Sequence, residues 1–181
     1  MTLPRGSWDR PSRIPMVVLS TLGAALLPFV LPACASAPDG NARVAIVAPS
    51  AASFPAVATF LEQRCGTLDC HGQVGRSLRL YGFVGLRLDP TDVPGGRATT
   101  MDEIDADYQS VVGLEPEILA AVVQDGGARP ERLTLIRKAR GTEHHKGGAL
   151  ITLGDAQDRC LTSWLAGAVD EGACASALMM P

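Results

Sequence analysis

Arg64-Cys65-Gly66-Thr67-Leu68-Asp69-Cys70-His71-Gly72 decides how the rest of the chain is read. It holds two cysteines, with a histidine directly after the second. A C-x-x-C-H run is the attachment signature of a c-type haem. That chemistry asks for two thiols, which form thioethers with the haem vinyl groups, and for an imidazole beside the second thioether that reaches the iron. Cys70-His71 meets the second demand directly. Here the spacing is C-x-x-x-x-C-H, so Gly66 to Asp69 must bulge outward. Gly66 is the residue expected to permit the bulge, because glycine tolerates backbone angles that other residues avoid.

Several later segments, in the same order, extend the pattern. Cys70-His71-Gly72 is followed by Leu78-Arg79-Leu80 and by Gly85-Leu86-Arg87-Leu88-Asp89. Then come Pro130-Glu131-Arg132-Leu133-Thr134-Leu135-Ile136-Arg137-Lys138-Ala139, His145-Lys146-Gly147-Gly148 and Leu161-Thr162-Ser163-Trp164-Leu165-Ala166-Gly167-Ala168. Together these resemble the planctomycete-type cytochrome c domain over about Phe54 to Asp170. The resemblance implies a mainly α-helical, cytochrome c-like domain around one covalent haem c, with long irregular loops. It implies Cys65 and Cys70 as the attachment residues and His71 as the proximal ligand. The match to the family's H-G-G-G turn singles out His145 as the distal iron ligand, with His144 and Met101 as alternatives. It also implies one-electron transfer to redox partner proteins, and haem attachment outside the cytoplasm.

The N-terminal region fits export. Arg5, Arg10 and Arg13 precede an apolar run from Ile14 to Val30, which ends in Leu31-Pro32-Ala33-Cys34. A basic region, an apolar region and small residues at a cleavage point make a secretory signal. The cysteine after Leu-x-Ala resembles a bacterial lipoprotein box. Residues 1–33 are therefore expected to be a signal peptide, with Cys34 as the lipidated residue. A plain secretory signal cut after Ala37 and a single-pass anchor are the other readings, the latter short of the roughly 20 apolar residues of a span. Small residues with Pro38, Gly40 and Pro49 suggest a flexible tether over 34–52, leaving 53–181 as the domain. The expected location is the periplasm or outer membrane, held by the N-terminal lipid.

Composition narrows the function. Of 16 Lys and Arg three precede Cys34, and of 19 acids only Asp9 does, so the chain from Cys34 carries a net charge of −5. A basic face for nucleic acid is not expected. The signatures of a nucleophile elbow, a phosphate loop and a zincin helix are all missing. An electron carrier is therefore expected rather than an enzyme. Of the five cysteines, Cys34 is assigned to the lipid and Cys65 and Cys70 to the haem. Cys160 and Cys174 remain, and in an exported protein they are expected to form a disulfide. A Cys65–Cys70 disulfide in a haem-free binding or structural lipoprotein is the alternative. A zinc site of Cys65, Cys70, His71 and His145 is a further one.

Helical periodicity is read over Phe54 to Arg64, Asp102 to Val112, Glu115 to Gly126 and Arg129 to Gly141. A last helix is expected behind a cap at Asp155, with Cys160, Leu161, Trp164, Leu165 and Ala168 facing inward. Residues from Gln73 to Gly96 are read as glycine-rich irregular loop. Each of Arg76, Arg79 and Arg87 in this loop is expected to be solvated. The acids Asp102, Glu103, Asp105 and Asp107 are read as a solvated helix face near a positive helix start.

Overall fold

The computed structural model describes residues 46–179. The signal-peptide and Cys34 readings, and the tether up to residue 45, lie outside the described residues. Among the described residues no helix is long and apolar enough to cross a membrane.

Among the described residues six α-helices form: α1 (Phe54–Cys65), α2 (Met101–Val112), α3 (Pro116–Gln124), α4 (Thr134–Ala139), α5 (Ala156–Leu165) and α6 (Glu171–Leu178). The mainly α expectation holds. Helix α1 occupies the centre. Its Phe54, Val57, Ala58, Phe60 and Leu61 are all buried, too wide a band for a surface helix. It packs against α2, α5 and α6. Asp155 accepts from the Asp158 amide and so caps α5, as its position suggested. Trp164 of α5 is fully buried, with its ring centroid 5.0 Å from that of Phe54.

Helix α6 is where the sequence was silent. It is tied to α5 by the Cys160–Cys174 disulfide, in agreement with the cysteine assignment. Closing a loop of 14 residues contributes about 3 kcal/mol by restricting the unfolded chain. This bond suits a domain whose aromatic residues are few.

The helix expected from Arg129 to Gly141 is interrupted. Pro130–Arg132 form a 3-10 turn, Leu133 is extended at ψ 131, and α4 starts only at Thr134. Extension at Leu133 buries its side chain in the core. Glu115 then accepts from both the amide and the hydroxyl of Thr134, at 2.6 and 2.8 Å, and stands in for the missing turn.

Upstream, the chain is docked before residue 53. Tyr108 donates its hydroxyl proton to the Pro49 carbonyl at 2.8 Å, and Trp164 donates its indole N–H to the Ser50 carbonyl at 3.0 Å. The end of the expected 34–52 tether therefore packs on the domain.

Residues 66–100 are irregular as expected, with one isolated bridge between Tyr81 and Leu86. Without a ladder, buried amides need other acceptors. Three carboxylates supply them. Glu62 accepts from the Phe83 amide and the Thr99 hydroxyl, Asp107 from the Tyr81 amide, and Glu103 from the Leu88 amide. Asp102 and Asp105 are exposed, but Glu103 and Asp107 are buried, which corrects the reading of all four as a solvated face. Arg87 is corrected likewise. It is buried, pairs with Glu103, and donates to the Arg97 and Ala98 carbonyls.

Candidate functional site

The site starts where α1 ends. The amide of Gly66 closes the helix on the Leu61 and Glu62 carbonyls. Cys65, the last helical residue, is thereby left against the core, 9 % exposed. The next residues fold into a turn closed on itself. Cys70 and Gly72 donate their amides to the Thr67 carbonyl, and His71 donates its own to Cys65, at 2.9–3.0 Å. The longer spacing between the cysteines is absorbed in this turn.

Gly66 serves the turn differently from expectation. Its φ of −83° is ordinary. Its value is closeness rather than freedom. A Cβ on Gly72, or on Gly85 of the following loop, would strike the Gly66 carbonyl oxygen. Three glycines thus bring three backbone segments into direct contact beneath the turn.

His71 projects from this turn, half-buried. Its amide and carbonyl are both bonded, the carbonyl to the Leu80 amide at 2.9 Å. Its ring Nδ1 lies 2.9 Å from the Leu78 carbonyl. A carbonyl only accepts, so Nδ1 carries the proton and Nε2 keeps its lone pair. Burial lowers the His71 pKa, despite the opposing Leu78 bond, and His145 and Arg76 nearby lower it further. The ring is therefore neutral at pH 7 and competent as a metal ligand.

A cavity of about 620 Å³ opens in front of His71. Cys65, Cys70, His71 and Leu78 form one side. Leu114 and Glu115 between α2 and α3, Leu135, Lys138 and Ala139 of α4, and the turn carrying His144, His145 and Lys146 complete it. The His145 ring centroid is 5.8 Å from that of His71, with the planes inclined by 23°. His145 Nδ1 faces the Gly148 carbonyl at 3.3 Å, and because a carbonyl only accepts, Nδ1 is the donor.

The two thiols are free. Burial pushes the Cys65 thiol up to about 12, with Cys70 adding to the effect. No Cys65–Cys70 bond is formed, while Cys160 and Cys174 are bonded. Among the described residues no three His, Cys, Asp or Glu side chains gather as metal ligands, so the zinc arrangement is not assembled.

The expected site residues thus separate into two groups. Cys65, Cys70, His71 and His145 share the cavity, and exposed His144 lines it too. Met101 does not line it. It begins α2 with 60 % of its surface exposed, because a capping box between Thr100 and Glu103 places it on the outer first turn. Of the three loop arginines, Arg76 alone lines the cavity, and its Nε donates to the Cys70 carbonyl at 3.0 Å. Leu114, Glu115 and Lys138 were missed. They reach the cavity only through tertiary packing. No family model, curated protein or solved structure matches the chain.

Proposed function

We propose that this chain is a single-haem c-type cytochrome that passes one electron at a time between redox partner proteins. One observation carries the reading. Two free thiols and a neutral imidazole line one side of an apolar cavity, and a second imidazole stands 5.8 Å away ring to ring.

The residues fit the group. The cavity volume lies within the roughly 300–1,000 Å³ of small-molecule sites. Leu78, Leu114, Leu135, Ala139 and Leu150 supply apolar walls. Cys65 and Cys70 would hold the two vinyl-derived carbons, and the Nε2 atoms of His71 and His145 the iron. The carbonyls of Leu78 and Gly148 fix the tautomer of each ligand, as second partners of metal-bound histidines do. Arg76 and Lys146 at the mouth suit the propionates. Haem supplies the one-electron couple. The chain supplies an orienting pocket, and two imidazoles keep the potential lower than a methionine sulfur would. An exported lipoprotein anchored at Cys34, in the periplasm or at the outer membrane, is part of the same proposal.

The test is a reduced-minus-oxidised visible spectrum of protein exported in a host with a haem-attachment system, with a haem-stained denaturing gel. A stained band and sharp α and β absorption support the reading. A colourless protein from a host that matures a control cytochrome overturns it in favour of a haem-free binding or structural lipoprotein.

A further inference from the structure

The two imidazoles that share the cavity are held very differently. His71 is built into the frame. Its amide bonds the end of α1 and its carbonyl bonds Leu80. Its ring bonds the carbonyl of Leu78, a residue only 5 % exposed. Moving His71 therefore means breaking the turn and the loop together.

His145 is held mostly by its own turn. Its ring bonds Gly148 at the longer distance of 3.3 Å, and the Gly148 amide returns to the His145 carbonyl. Gly141 and Gly148, at φ 69° and 72°, bracket the segment. The start of the turn is tied to α4 through the backbone, with the Thr142 and Glu143 amides on the Arg137 carbonyl at 3.0 and 3.3 Å, whereas the ties beyond Glu143 are side chains on the rim. The Glu143 carboxylate bonds Arg137 and Lys138, each at 2.8 Å, and Lys138 also donates to the His144 carbonyl. Glu143, Arg137 and Lys138 are each about a third exposed. Exposed ion pairs hold weakly and are screened by salt. A segment with exposed hydrogen bonds and few buried apolar contacts opens at low cost.

We propose that His145 is a displaceable ligand, and that the turn from His144 to Gly148 swings away to admit a small neutral molecule such as carbon monoxide beside His71. This rests on the single-haem reading of the cavity. It adds a ligand-binding function to electron transfer. Glu143 acts as the positioning residue, since it fastens the turn without touching the bound molecule.

The full chain, exported in a haem-attaching host and checked by haem stain, is reduced with dithionite and mixed with carbon monoxide. The Soret band is expected to shift to that of a carbon monoxide adduct. The rate should level off as carbon monoxide rises, because opening of the turn precedes binding. The plateau should rise about three- to tenfold in Glu143→Gln, and also in wild type at high salt. His145→Ala should bind without a plateau. An unchanged spectrum, or a plateau insensitive to both Glu143→Gln and salt, overturns the proposal. Hydrogen exchange of the same preparation gives a readout that needs no haem. The amides of His145 to Gly148 are expected to exchange at least about tenfold faster than those of Cys70 to Gly72 and Leu80. Equal protection rejects the swinging turn, whereas a negative haem stain rejects the cytochrome reading itself.

Discussion

Arg87 and Glu103 form a buried two-pronged pair, with Nε 2.8 Å from Oε1 and Nη2 3.0 Å from Oε2. Their side chains are 2 % and 1 % exposed. The pair joins the loop after the Cys65–Gly72 turn to the start of α2, where Glu103 also completes a capping box with Thr100. Arg87→Met leaves a buried carboxylate without its partner. The expected cost is about 3–5 kcal/mol, read from urea unfolding. A loss below about 1 kcal/mol would show that the carboxylate finds another partner or water.

Glu103 also sets an acid limit. Burial pushes its pKa up, but bonds from Arg87, Thr100 and Leu88 outweigh that and bring it down to about 2. A carboxyl depressed in the folded state stabilises the protein above its ordinary pKa, and that stability is lost as pH falls through the folded value. Stability is therefore expected to fall between about pH 4.5 and pH 2, and less so in Glu103→Gln. Parallel acid-unfolding curves for the two proteins would count against this.

Asp107 behaves in the opposite sense. Burial raises its pKa to about 8, against the Tyr81 amide bond, and Glu62 and Glu103 nearby add to the rise. Its Oδ2 has no hydrogen-bond partner. The folded state then binds a proton that the unfolded state has released, so stability falls as pH rises from about 4 to about 8. Asp107→Asn keeps an acceptor for Tyr81 and carries no charge. It is expected to match wild type at about pH 4 and to exceed it by a growing margin up to about pH 8, in unfolding midpoints compared across pH.

Gly72→Ala places a methyl group against the Gly66 carbonyl. The expected cost is about 1–3 kcal/mol, because backbone rather than a side-chain tip must move. The yield of haem-stained protein should drop with it. Wild-type stability and yield in this variant would mean that the glycine contacts are dispensable.

Under the proposed haem reading, ligand replacement discriminates between the candidates for the iron. His145→Ala is expected to turn a low-spin spectrum high-spin, and Met101→Leu to leave it unchanged, since Met101 does not line the cavity. If Met101→Leu alters the spectrum instead, the assignment of His145 fails.

Much of the frame was legible because it follows apolar spacing. Helix α1, the cap at Asp155 and the inward Cys160, Leu161, Trp164 and Leu165 of α5 were readable from the sequence, whereas Ala168, expected on the same face, lies beyond the end of the helix and is exposed. The disulfide followed from counting sulfurs. Buried charge was not legible in the same way. Glu103, Asp107 and Val111 recur every four residues on the inner face of α2, yet an acid at such a position reads as solvated until its partner is known. That partner, Arg87, lies sixteen residues earlier in a loop without periodicity. The break at Leu133 was hidden for a similar reason, since the Glu115 that replaces the helical turn is nineteen residues from Thr134. At the site, the cysteines and histidines were visible as a motif. The walls contributed by Leu114, Glu115 and Lys138 exist only after the chain has packed.

The burial of Cys65 sets a deadline for assembly. Once α1 has docked, that sulfur is covered and protonated, and a protonated thiol is a poor nucleophile. Any covalent bond it forms must therefore be made while the helix is still loose. The Cys160–Cys174 bond works against delay, because it fastens α6 to α5, and both helices pack on α1. Oxidation of one sulfur pair thus shortens the time open to the other. Under the proposed haem reading, maturation becomes a race between two reactions on one chain, and an oxidant added too early would yield a well-folded protein with Cys65 sealed.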